Sequence, residues 1–431
     1  MAPARSIGEH RTPLDAPTVL SMGIEPRPWP AYFCRDFNAQ WLVPTLLFAR
    51  SRSFARGSGP IFINEQRLMW RRLGMDKGRR EFLTVAAAST AAFATNAFGA
   101  DKFGRDRDWT TTMPVTYPEP AWEVKDKRFK AQQGNATLQR IWHGVGHDAA
   151  LWCEGPAWMG DWGCLIWSDI PNHRTLRWSE DDGHVSVFQT ESGYSNGHAR
   201  DNQGRLIAME HDTRRVRRRE YDGTWSVLCD SYEGKKLNAP NDAAVHRDGS
   251  VWFTDPGYGI LGPYEGHKAE FELPTRVYRI DGQTGKVSII AEGPMRRPNG
   301  ICFSPDFSKL YVADTGATDG PDYPANIIVF DVVKDGTAVS GGKVFADFKP
   351  GFTDGIRCDT DGNVWCSWGW GGIDTNGVRV HAPSGEELAF LHTPEVVANL
   401  VFGGTKRNRL FMCGSTSMYA VYVNAVGAAL G

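Results

Sequence analysis

Short apolar runs, each behind a turn signal, recur from about residue 150 onward. They are Gly163–Asp169 (GCLIWSD), Gly204–Glu210 (GRLIAME), Gly249–Asp255 (GSVWFTD), Ser308–Asp314 (SKLYVAD), Gly362–Ser367 (GNVWCS) and Asn408–Cys413 (NRLFMC). Runs of this length, bounded by Gly, Asn or Ser, read as buried strands. After most of them come another strand, a polar turn with Gly and a fourth strand, as where Val277–Asp281 leads into Thr284-Gly285. Six such units at spacings of about 41 to 60 residues predict an all-β fold, a six-bladed β-propeller with four-stranded antiparallel blades. The isolated run Leu138–Trp142 is placed to complete the sixth blade and close the ring. One domain then spans 130–431.

About eight to ten residues before each second strand, a polar residue opens the first strand: Glu154, Asn196, Asn241, Asn299, Asp354 and Asn399. First strands line the central channel of a propeller, so equivalent positions face one another across its axis. A single Asn-Gly or Asp-Gly is an ordinary turn dipeptide. Six polar residues at one phase of six repeats need another explanation. Carboxylates and carboxamides converging without a partner are costly to desolvate. A hard divalent cation supplies that partner, so the channel is expected to contain one metal ion, calcium before zinc, magnesium or manganese.

Composition adds limits. The counts of 47 Gly and 16 Trp suit turns and packing between blades. Lys and Arg number 48 against 50 Asp and Glu, a net charge of -2 that argues against a nucleic-acid or membrane-surface partner. No run of 18 apolar residues occurs, so no permanent membrane span is expected. Segment 1–74 carries ten Arg and no Lys and shows no sustained period; it is expected to be an extension outside the native fold, with Met75 or Met69 as the true start. Segment 75–100 joins Arg79-Arg80-Glu81-Phe82-Leu83 to an Ala-rich stretch, the pattern of a twin-arginine export signal. That predicts engagement of the twin-arginine machinery and a periplasmic or secreted product.

In chain order the sequence carries Glu154-Gly155-Pro156, Asn238-Ala239-Pro240-Asn241-Asp242, Phe253-Thr254-Asp255-Pro256, Arg297-Pro298-Asn299-Gly300 and Thr353-Asp354-Gly355. Together these resemble the gluconolactonase and regucalcin (senescence marker protein) family of lactonases, over roughly residues 130–431. The Ala-Pro pair before Asn241 departs from the animal regucalcin pattern and is similar to the bacterial gluconolactonases. The resemblance implies a metal-binding propeller that hydrolyses a small-molecule lactone. It places Glu154, Asn299 and Asp354 on the metal ligands, and Asn241 on a residue that binds metal or orients substrate.

Lactone hydrolysis needs a polarised carbonyl and an activated water, which a metal at the pore mouth provides. Asp354 is the expected general base, with Glu154 second. Asn196, Asn241 and His198 are expected substrate contacts, His198 by strand alternation from Asn196. Tyr258, Trp368 and Trp370 are candidates for the pocket wall, and the insertion from Gly262 to Pro274 for a lid. Arg214–Arg219 reads as a solvated strand, and Cys153 with Cys164 is one disulfide candidate. Two other readings share the scaffold: an esterase or organophosphate hydrolase, and a non-catalytic binding module holding a structural ion.

Overall fold

The computed structural model describes residues 101–428 apart from 111–116, 132–133, 145, 147–148 and 294. The extension at 1–74 and the signal-like segment at 75–100 lie outside the described residues. Among the described residues, helix is confined to short 3-10 turns, and six antiparallel blades follow one another along the chain, with a two-stranded hairpin, Ser231–Tyr232 with Lys235–Lys236, between the second and third. Blade 1 holds Cys153–Met159, Cys164–Asp169, Arg174–Ser179 and Val185–Thr190. Blade 2 holds Ser195–Arg200, Leu206–Glu210, Arg215–Arg219 and Trp225–Cys229. Blade 3 holds Ala243–Val245, Val251–Asp255, Arg276–Ile280 and Val287–Ala291. Blade 4 holds Pro298–Phe303, Lys309–Asp314, Asn326–Val333 and Ala338–Asp347.

Blades 5 and 6 borrow strands from upstream. Blade 5 runs Ile356–Cys358, Val364–Trp368, Gly377–His381 and Glu387–His392, and Trp122–Val124 adds a fifth strand at its outer edge. Blade 6 runs Val397–Gly403, Arg409–Gly414 and Ser417–Tyr422, and Gln139–His143 pairs with the last of these as its fourth strand. The ring is thus closed by a strand from before blade 1, and the first strand of blade 6 packs on that of blade 1. Each blade keeps its first strand as a short inner edge, packed against the first strands of its neighbours.

The second strands are buried along their whole length apart from Lys309 at the start of blade 4's, as their apolar runs require. Tryptophan fills the spaces between blades. Trp158 stacks on Phe411 at 5.7 Å across the blade 1–6 junction, Trp252 meets Phe303 at 5.1 Å across 3–4, and Trp365 meets Phe402 at 5.2 Å across 5–6. Trp368 is likewise a packing residue, buried against Phe390 under the Arg379 guanidinium.

Two sequence expectations change. Cys153 and Cys164 sit at opposite ends of one hairpin, Cys153 opposite Asp169 and Cys164 opposite Met159, so they are separated by most of a strand and cannot bridge. All seven described cysteines are free thiols. The arginine run does form a strand, but its side chains are tied down: Arg215 and Arg217 pair with the buried Glu210, Arg218 with Glu220, and buried Arg214 bonds the Leu237 carbonyl. An interior carboxylate recruited them from solvent.

The Gly that follows a ring residue has a packing reason. A Cβ on Gly197 would lie 2.3 Å from the Asn241 carbonyl oxygen, and one on Gly300 would lie 2.0 Å from that of Asp354. First strands of neighbouring blades approach too closely near the axis for any side chain there. Gly197→Ala and Gly300→Ala should each destabilise the fold by about 1–3 kcal/mol or more, the usual range for overpacking. Urea unfolding checks this; an unchanged midpoint would refute the close-approach explanation.

Candidate active site

The ring residues are aimed by interruptions in strand pairing. Register between first and second strands shifts between Glu154 and Ala157, Ser195 and His198, Pro298 and Ile301, and Val397 and Asn399. Such bulges turn side chains out of the alternation of a regular strand. The freed backbone bonds sideways: Gly197 N–H donates to the Asn241 carbonyl, and Gly355 N–H to that of Ala398, both at 2.8 Å.

The second strands finish the positioning with the polar residues that end their apolar runs. Ser168 Oγ donates to the Asn196 carbonyl at 2.8 Å, Thr254 Oγ1 to that of Asn299 at 2.8 Å, and Ser367 Oγ to that of Ala398 at 2.9 Å. The aspartate that follows holds the loop leading into a ring residue. Asp255 accepts the N–H groups of Asn238 and Ala239 at 2.8 and 2.7 Å, Asp314 those of Arg296 and Arg297 at 2.8 Å, and Asp169 that of Leu151 at 3.0 Å.

Glu154 and Asp354 are brought together and buried. Burial, and then the charges of Glu154, Glu265 and Asp242, push the Asp354 carboxyl well above the usual carboxylate range. Burial also raises Glu154, against the Gly155 N–H that it accepts at 2.7 Å. Asn399 donates to Glu154 Oε2 at 3.2 Å, and its own Oδ1 accepts the Leu400 N–H, so both ends of that amide are in use. Asn299 is different: Nδ2 reaches Thr315 Oγ1 at 3.3 Å, but Oδ1 is buried without a partner. Asn196 also has a buried, unpartnered Oδ1, while Asn241 is buried at the same phase.

This donor set fits an oxygen-liganded cation. Two mutually repelling carboxylates and an orphaned carboxamide oxygen are costly alone and satisfied together by a positive charge. Among the described residues no three His, Cys, Asp or Glu converge as metal ligands, so the fit depends on the asparagines.

His198 is placed elsewhere. Its Nδ1 bonds the Gly155 carbonyl at 2.9 Å, burial lowers its pKa to about 4, and it lines a cavity beyond the ring. Alternation from Asn196 fails to put it at the mouth because the bulge intervenes.

Several neighbours escaped the sequence reading. Asp242 is fully buried beside the ring and pairs with Arg357 Nη1 at 3.0 Å. The insertion after blade 3's second strand reaches over the neighbouring blades: Tyr264 Oη donates to the Leu151 carbonyl at 3.2 Å and His267 pairs with Asp212 at 2.6 Å. It also carries Glu265, raised to about 7 by burial, to 3.5 Å from Nδ1 of buried His211, whose Nε2 faces Asn196 Nδ2 at 3.3 Å. No local motif marks these contacts, which join residues far apart in sequence. Tyr258 bonds Thr315 Oγ1 at 2.6 Å, the hydroxyl that also meets Asn299. Trp370 stacks on Phe352 at 4.2 Å and approaches Trp152 at 5.8 Å. Phe352 and Trp152 lie two residues before Asp354 and Glu154 in the chain, so the three rings form an aromatic wall on the segments that lead into the carboxylates.

Fold and site together define a six-bladed propeller with an acidic, oxygen-lined pore. The chain belongs to the family described as SMP-30/Gluconolactonase/LRE-like region, which matches residues 152–416. The gluconolactonase of Zymomonas mobilis is 29% identical over 299 residues, covering 64% of this chain and 80% of that protein. A solved gluconolactonase from Xanthomonas campestris is 34% identical with a TM-score of 0.63, over 70% of this chain and 94% of that one. A calcium-binding protein, regucalcin, from Agrobacterium tumefaciens shares the fold at 18% identity and a TM-score of 0.54, over 66% of this chain and 94% of that one.

Asp255 yields a test of the positioning device. Burial raises its carboxyl from the ordinary 3.8 to about 6, so the folded state holds the proton more tightly than the unfolded chain. Its stabilising contribution is complete below about pH 4 and lost as pH rises through about 6. The stability advantage of wild type over Asp255→Asn should therefore fall by about 3 kcal/mol from acid to neutral pH. Urea unfolding across that window checks it; a flat or rising difference would refute the assignment.

Proposed function

We propose that this protein hydrolyses a lactone of a sugar or related compound to the hydroxy acid, at the end of the pore where Glu154 and Asp354 meet. In class it is a lactone hydrolase. The observation that carries the reading is the forced meeting of these two buried carboxylates with the unpartnered Asn299 Oδ1, in a chain of this family. Calcium, the best match to all-oxygen donors, would be held by Glu154, Asn241, Asn299 and Asp354. Such a cation polarises a carbonyl and acidifies a water when bound.

The chain's own groups handle the proton and the orientation. Asp354 takes the proton that the attacking water loses, and Glu154 is the second candidate for that task. The departing ring oxygen needs one proton as its C–O bond breaks. The proton gained by Asp354 meets that need, so the net reaction consumes one water. Asn196 and Asn241 orient the lactone, held in place by the Ser168 and Gly197 bonds to their carbonyls. His198, on the wall of the cavity beyond the ring, is left out of this scheme. The segment 75–100 assigns the enzyme to the periplasm or the exterior through twin-arginine export.

The aromatic wall of Trp152, Phe352 and Trp370 favours one second reading, an aryl esterase on the same ring. A panel of sugar lactones, aliphatic lactones and aryl esters separates the two. Sugar lactones should turn over, chelator should abolish the rate, and calcium should restore it ahead of zinc, magnesium or manganese. Asp354→Asn should lower kcat by at least about a hundredfold. Chelator-resistant lactone hydrolysis would overturn the metal assignment. Faster turnover of aryl esters would favour the second reading, and metal binding without turnover of any panel member would leave a binding module.

A further inference from the structure

The first strands continue past the ring. Two to four residues beyond the ring positions, they line a cavity of about 540 Å³, within the range of small-molecule sites. At about 3.3 Å per strand residue, this cavity lies roughly 7–13 Å from the carboxylates. Its wall is mostly apolar, with Trp158, Phe303 and Phe402 contributing large faces. Arg200, Arg247 and Arg357 also line it, and among the described lining residues there is no aspartate or glutamate. The charged side chains lining this end are therefore basic, where those of the ring are carboxylates.

Two of the arginines are held by groups outside the cavity wall. Arg357 pairs with Asp242, on the side of the ring, and Arg200 with the exposed Asp161. Arg247 is exposed and lies over the Phe307 ring at 5.7 Å. We propose that this cavity is a second ligand site, which takes an amphipathic monoanion: an aliphatic or aromatic body carrying one carboxylate. The body covers the Trp158, Phe303 and Phe402 faces. The carboxylate answers the exposed Arg247, whose planar fork suits that group. A neutral ligand of the same body gives Arg247 no counter-charge, and a cationic one is repelled by it.

The site also touches the ring's electrostatics. Asp242 is bonded by Arg357 and approached by Asn399 Nδ2 at 3.5 Å, and that same amide donates to Glu154. An anion drawing on Arg357 weakens its hold on Asp242, one bond removed from Glu154.

Calorimetric titration of the full chain with decanoate, decanol and decylammonium tests the proposal. Decanoate should bind at one site, at least about tenfold tighter than decanol, a difference of about 1.4 kcal/mol, and decylammonium should not bind. Ala244→Trp, which fills the cavity, and Arg247→Glu, at an exposed position, should each weaken decanoate at least about tenfold. Equal affinity for decanoate and decanol, no binding of decanoate, or decanoate affinity unchanged in Arg247→Glu would overturn it.

Discussion

The burial of Glu154 beside Asp354 is the interaction that the rest of this propeller sustains. Burial raises the proton affinity of both carboxyl groups, Glu154 raises that of Asp354 further, and Asp242 and Glu265 add to the effect on each. Left to itself, such a cluster would push the blades apart or draw in solvent. It persists because the backbone leaves no alternative. Ring closure by Gln139–His143 fixes the number of blades, and glycines at the axis let first strands approach until their ring residues meet. Partial compensation comes from the Gly155 N–H and the Asn399 amide on Glu154, and from Arg357 on Asp242. The remaining deficit, together with the unused Asn299 Oδ1, is the physical case for a cation.

The fold was legible in the sequence because each blade repeats one buried apolar strand at a constant phase. That strand is apolar up to its polar end, and so stands out from the half-exposed outer strands whatever their register. The ring was legible for the same reason, since Glu154, Asn299 and Asp354 recur at one offset from it. Roles within the ring were harder to separate. Asn399 shares the phase of Asn299, yet only the structure shows that Asn399 spends both amide atoms on Glu154 and its own strand, whereas Asn299 keeps an oxygen free.

What stayed hidden depends on bulges and long-range contacts. His198 obeys strand alternation on paper, but the extra residue in the bulge moves it past the mouth and onto the cavity wall. Glu265 and His211 belong to different blades and meet only because the insertion in blade 3 reaches over blade 2. The aspartates ending the second strands accept hydrogen bonds from the loops that carry ring residues, a task with no local signature. The separation of the basic lining from the ring carboxylates along one channel is likewise a property of phase, visible once the first strands are lined up about a common axis.

The central claim is that the ring is a cation site made of oxygen from four blades. Crystals of the chelator-treated protein, grown with and without calcium, test it most directly. One calcium peak is expected, coordinated by Glu154, Asn241, Asn299 and Asp354 at about 2.3–2.6 Å. No peak at saturating calcium, or a peak coordinated by other residues with Glu154 and Asp354 left as a protonated pair, would contradict it.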